Sequence, residues 1–193
     1  AAGAAIDHLI EFHPIYAEAH AEASRDNQSL PAWLAQRAEM KLSGDRNVAR
    51  LAGGLYVVPE FLGNRAPYAD PHTRAVIAGL GMERDLDSLL ALYIAGLCGI
   101  GYGLRQILHA QAEKGAKVDR VVLSGGAGKS DLVRQLLADA AGVELSIPAA
   151  EEPVLLGSAI LGSMAAGIHE DIETAMGELS AFAKVFRPQV GDV

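Results

Sequence analysis

Between Val118 and Ala141 the chain holds its densest run of chemistry-bearing residues. The β-branched stretch VDRVVL is followed by Ser124-Gly125-Gly126-Ala127-Gly128-Lys129-Ser130 and then by DLVRQLLADAA. A strand that feeds a glycine turn into a helix aims free backbone N–H groups and the positive end of the helix dipole at one spot, which suits a phosphate. The pattern G-x-x-x-x-G-K-[ST] of a P-loop is not met, because its first glycine would stand at position 123, where the chain has Leu123. Two readings stay open on local sequence: a phosphate-binding turn, or a tight βα turn in which glycine only supplies positive φ.

Other reactive residue types lack companions. His8 and Glu11 would share a helix face near His13, but nothing close in sequence completes a metal-ligand set, so a solvated or structural role is expected. His169-Glu170-Asp171 reads as the polar lead-in of a last helix with Asp171 near its cap. Cys98, the only cysteine, falls on an apolar stretch and is expected to be an inert core thiol. One cysteine excludes an internal disulfide framework and a four-thiolate zinc site, and fits a reducing cytosol. No Ser/His/Asp set stands at a nucleophile elbow.

The elements that must position the turn are legible around it. Ser130 is the expected N-cap of a helix whose Leu132, Val133, Leu136, Leu137, Ala140 and Ala141 recur at helical spacing and whose Gly142 closes it. Val143 to Ile147 reads as a second strand, so strand, turn, helix and strand make a βαβ unit with parallel strands. Upstream, Leu89 to Leu104 is apolar, and Asp85 and Asp87 supply cap chemistry for one helix from about Ser88 to about Lys114. Its apolar core is shorter than the roughly 20 residues that cross a bilayer, so it reads as a buried central helix. Gly96, Gly99 and Gly103 form a stripe that marks close approach of neighbouring backbone, and Gly157 and Gly162 in a helix from Pro153 to Ala166 suggest the same. Helices are expected from Gly3 to Phe12 and from Pro31 to Leu42, the latter stopped by Gly44, with a polar loop over residues 20–29 between them. Leu55 to Val58 is a strand candidate, and Pro59 to Arg74 a long irregular segment.

With 193 residues, 50% hydrophobic and 21% charged, the chain is globular and large enough for one sizeable core. Its net charge of −8 disfavours a nucleic-acid partner bound through bulk electrostatics. The opening Ala1-Ala2-Gly3 has neither an initiator Met nor signal-peptide character, which suggests that a longer polypeptide begins upstream.

In ordered blocks, the sequence resembles the C-terminal domain of the FGGY family of carbohydrate kinases. The blocks are GAAIDHL at the start, Gly54 to Arg74 with GLYVVPEFLGNRAPYADPHTR, then Gly79-Leu80, the long helix, VVLSGGAGKSDLVRQLLADAAG and EEPVLLGSAILGSMAAG. The wording FLGNRAPYADP is most similar to the ribulokinase-type members, which phosphorylate pentuloses such as ribulose. The resemblance implies an α/β fold of the actin-like (ribonuclease H-like) ATPase type, with a mixed sheet flanked by helices. It implies ATP or ADP with Mg²⁺ bound in a cleft, and a sugar that receives the γ-phosphoryl group. It also implies a cytoplasmic enzyme without a membrane or nucleic-acid partner, and a homodimer in some members.

Carried over by residue, the resemblance puts Gly125 and Gly126 against the nucleotide phosphates and Ser130 beside adenine. Gly3 would line the same cleft with Asp7 close by. Ser130 stands where some members have Asn, and Asp7 where others have Gln. The family's D-x-G-T-x-x-x-R loop and the D-A-x-x-G segment with the general-base Asp are not present in these residues. The expectation is therefore a nucleotide-binding domain, spanning 1–193, of a longer kinase, itself without a catalytic residue. The alternative is a non-enzymatic actin-like module that binds nucleotide or a protein partner.

Overall fold

The computed structural model describes residues 2–42, 47–125 and 130–189. Its long helix α4 (Leu86–Glu113) is the axis around which the rest is built. α4 begins two residues before the expected start because Asp85 and Ser88 cap it reciprocally. The Asp85 carboxylate accepts from the Ser88 N–H at 2.9 Å, and the Ser88 hydroxyl oxygen accepts from the Asp85 N–H at 3.2 Å. Its first half is buried from Leu89 to Gly99 apart from the half-buried Ala91, with Leu89 and Ile94 fully inaccessible, as a largely apolar stretch requires.

Four elements grip it. Helix α1 (Ala2–Glu11) lays Ile6 and Leu9 over Gly96; a 3-10 turn (Val48–Ala52) and strand β1 (Tyr56–Val58) cover another side. Helix α5 (Asp131–Ala141) closes against Gly101 through Ala140. At Gly99 the β1 backbone comes so near that a Cβ would run into the Val57 carbonyl oxygen, so the expected close approach of backbone is real there; at Gly96 it is the Leu9 and Ile6 side chains that come close. It is not real at Gly103, Gly157 or Gly162, where nothing lies within 4 Å of a built Cβ. The last two belong to α6 (Pro153–Ala165), of whose residues only Ile160 is buried.

The βαβ unit is as expected. β3 (Arg120–Val122) and β4 (Glu144–Pro148) are parallel, with Val121 opposite Leu145, and α5 crosses between them. Every apolar α5 position named from periodicity is buried, and Gly142 ends the helix in the left-handed region at φ 66°. A third strand, β5 (Phe182–Phe186), pairs antiparallel with β4 and makes the sheet mixed. It has no separate sequence signal because four of its five residues are exposed; ladder bonds and the pairs Lys184–Asp131 and Arg187–Glu144 hold it.

The region before residue 59 corrects one expectation. Residues 20–29 are not a loop throughout: α2 (Tyr16–Arg25) occupies most of that stretch. It buries only Ala19 and Ala23, one turn apart, against α3 (Leu30–Leu42), so a small-residue seam is hidden under a polar composition. Gly44, the expected stop of α3, lies outside the described residues. The irregular stretch after Pro59 is pinned at buried Asn64, whose side-chain oxygen accepts from the Tyr68 N–H at 3.0 Å and whose N–H donates to the Asp70 carbonyl at 2.8 Å. It leads into β2 (Val76–Ala78), a short antiparallel partner of β1 that composition did not reveal. Helix α7 (Ile172–Leu179) is capped by the Asp171 carboxylate on the Thr174 N–H at 2.7 Å, as its lead-in implied.

Candidate functional site

The glycine turn leaves β3 with its ladder still intact, the Leu123 N–H donating to the Ser146 carbonyl at 2.9 Å. Gly125 then turns the chain at φ +98°, a conformation that side-chain-bearing residues rarely adopt, with open space where a Cβ would stand. Among the described residues, nothing lies within 4 Å of that position. Gly126 lies outside the described residues. Ser130 begins α5 as the expected N-cap. Its Oγ accepts from the Val133 N–H at 3.5 Å, and its hydroxyl donates to Glu39 Oε1 on α3 at 3.3 Å.

Of the two carboxylates at this helix start, Glu39 touches Ser130 and Asp131 is paired with cations. Asp131 sits in the first turn, but its carboxylate accepts from Lys184 Nζ at 2.5 Å and from Arg134 Nη1 at 2.8 Å. Those cations, Lys184 first, hold the carboxyl below its usual range and leave little net charge to repel a phosphate.

Gly3 and Asp7 stand four residues apart on α1, hence on one face. Asp7 lines a recess of about 280 Å³ with Ile10, Glu11, Tyr16, His20 and Ser29. The start of α3, Leu30 and Pro31, forms its wall, while Glu39 at the other end of α3 touches Ser130. Nine residues at 1.5 Å each separate the two groups by roughly 13 Å along that helix. α3 is therefore the shared flank of both sets, and no described hydrogen bond joins Asp7 to Ser130 directly. Glu39 has no motif to announce it; only folding α3 across the α5 N-terminus reveals it.

The remaining reactive residues fall into structural roles. His8 lies 3.6 Å from Glu11 and packs edge-on against Phe12 and Phe61. His13 ties the α1–α2 corner to α4, one ring nitrogen 3.1 Å from Ser88 Oγ and the other accepting from the Ile15 N–H at 3.4 Å. Burial lowers its proton affinity, partly offset by Asp85. A cavity of about 630 Å³ opens beside it, lined by the Gly79–Asp85 stretch. Burial pushes the Cys98 thiol up to about 11, as an inert core thiol should be. Among the described residues, no three His, Cys, Asp or Glu side chains are grouped to hold a metal ion.

The comparisons with known proteins agree with this architecture. The profile of the FGGY family of carbohydrate kinases, C-terminal domain, matches residues 1–166. An FGGY carbohydrate kinase domain-containing protein of Homo sapiens is 33% identical over 190 residues, covering 98% of this chain and 34% of the relative. A D-ribulokinase of Saccharomyces cerevisiae is 32% identical over 166 residues, 84% of this chain and 23% of the relative. Among solved structures, the Plasmodium falciparum glycerol kinase with ADP superimposes with a TM-score of 0.58 at 22% identity, covering 82% of this chain and 32% of that one. That likeness is one of fold, the actin-like ATPase fold with a mixed sheet flanked by helices. The chain spans about a third of the length of the curated relatives it matches. This chain belongs to the FGGY family of carbohydrate kinases and corresponds to its C-terminal domain.

Proposed function

We infer that these residues form the ATP-binding part of a kinase that phosphorylates a hydroxyl of a pentulose such as ribulose. The observation that carries the nucleotide half is the turn at Gly125. Among the described residues nothing crowds its backbone, and it leads toward a helix N-terminus in a chain of carbohydrate-kinase family. On the family resemblance, Gly125 and Gly126, the latter outside the described residues, would give N–H groups to its phosphates, and Ser130, the N-cap of α5, would flank the base. Gly3 and Asp7 would line the facing side. ATP, when bound, supplies the γ-phosphoryl group. The residues here would bind and orient it, the positioning on which phosphoryl transfer mainly depends. Mg²⁺ would arrive on the nucleotide's phosphates, with the general base and most sugar contacts in other parts of a longer polypeptide.

The pentulose preference rests on FLGNRAPYADP and on the similarity to a D-ribulokinase. The enzyme is proposed to work in the cytoplasm. A phosphorylation assay of the longer polypeptide with ATP, Mg²⁺ and ribulose, xylulose or glycerol tests the substrate reading. Preferred use of a pentulose is expected, and exclusive use of glycerol would contradict it. The 193 residues alone are expected to be catalytically silent, so robust turnover by this chain would refute the assignment.

A further inference from the structure

We propose that the open edge of β3 is where a further β-strand docks, supplied by the part of the polypeptide that lies outside these 193 residues. The proposal rests on the longer polypeptide inferred above and not on the nucleotide or sugar readings, so loss of either reading would leave it standing. Among the described residues the sheet has the order β3-β4-β5, and its two edges differ in kind. β5 is built as an edge. Four of its five residues are exposed, Lys184 forms a surface ion pair, the pairing with β4 is irregular between Ile147 and Pro148, and Pro188 follows it. Charge, irregular register and proline are the usual means of keeping a strand edge from pairing again.

β3 has the character of an interior strand instead. Its run Val121-Val122-Leu123 is continuously apolar and it lies parallel to β4, the pattern of strands that are covered on both faces. Val121 and Leu123 pack against the core, but Val122 is 53% exposed. The backbone repeats the contrast. Leu123 donates its N–H to the Ser146 carbonyl on β4, so the N–H and C=O of Val122, one residue earlier, point to the opposite side, where β3 has no described partner. The helix that follows β4 is uncovered as well, since α6 exposes Val154, Leu155 and Leu161. Exposed apolar groups gathered on one element mark an interaction surface. The chain spans 34% of the human relative, so most of such a polypeptide is available to supply a strand. A strand in the same polypeptide also has the effective concentration of an intramolecular partner, an advantage that a second copy lacks.

The test is amide hydrogen exchange in the longer polypeptide without nucleotide or sugar, with Leu123 as the internal reference because its N–H is already bonded to β4. With a strand on the β3 edge, the Val122 amide is expected to exchange about as slowly as that of Leu123. With the edge open it should exchange on the order of a hundredfold faster, since nothing but water would meet it. Fast exchange at Val122 beside slow exchange at Leu123 would therefore overturn the proposal. A second measurement uses Val122→Lys. Flanked by an added strand, that position should reject lysine and the melting temperature of the longer polypeptide should fall by several degrees, whereas a half-exposed position on an open edge tolerates it. An unchanged melting temperature would count against the added strand. Protection of Val122 that disappears when a dimer is diluted to monomer would assign the edge to a second copy and overturn the proposal.

Discussion

Helices α4 and α6 are both apolar and glycine-containing, yet their positions in the molecule are opposite. α4 is buried at all but Ala91 from Leu89 to Gly99 and met on several sides by α1, β1, the 3-10 turn and α5. α6 contacts chiefly α7 and leaves Val154, Leu155 and Leu161 exposed, with only Ile160 buried. Composition sets how much a helix gains from burial, but a complementary face decides whether that gain is realised. Glycine shows the same contrast: Gly99 lets β1 reach the helix, while Gly157 has open space beside it.

Mutations can sharpen this contrast. The largest effect is expected from Ile94→Ala, which opens a cavity in the core and should cost about 2–5 kcal/mol in chemical denaturation. Its α6 counterpart, Leu155→Ala, should stay within about 0.5 kcal/mol, because Leu155 is 66% exposed. Gly99→Ala should lose about 1–3 kcal/mol despite alanine's better helix propensity, since the new Cβ meets backbone at Val57. Gly157→Ala should instead gain roughly 0.5–1 kcal/mol from propensity alone. If both glycine variants shifted stability the same way, close approach would not be what distinguishes the two helices.

A smaller effect is expected from pH. Burial lowers the proton affinity of His13 in the folded chain below its ordinary value of 6.5, against the opposing pull of Asp85. Protons therefore bind the unfolded chain more readily. The contribution is fully present above about pH 6.5 and is lost as pH falls through the lowered folded value. Thermal melts between about pH 5 and 8 should show this decline, and His13→Gln should flatten it. The Asp85 and Asp171 caps act lower on the scale. Their carboxyls are held below the usual range by the Ser88 and Thr174 N–H groups, so their contribution disappears only in more acid solution.

The sequence made the βαβ unit legible because three local signals agreed there: a β-branched run, a capping Ser130 with periodic leucines and valines, and Gly142. It hid α2, whose buried face is two alanines and whose remaining surface is polar. It hid β5 as well, since a strand held by pairing and surface ions carries no apolar alternation. For the candidate site, the turn and N-cap were local and therefore visible. The flank supplied by α3 depends on how distant helices cross, and Glu39 stands 91 positions before Ser130.

We propose that the α5 start and the α1 face would serve one nucleotide, with α3 between them. The most direct measurement is the pattern of amide shifts when the chain is titrated with ADP. Perturbations at Gly125 and Ser130 together with Gly3 and Asp7, and not along α6 or α7, are expected. Shifts confined to the cavity beside His13, or at the glycine turn without α1, would contradict it.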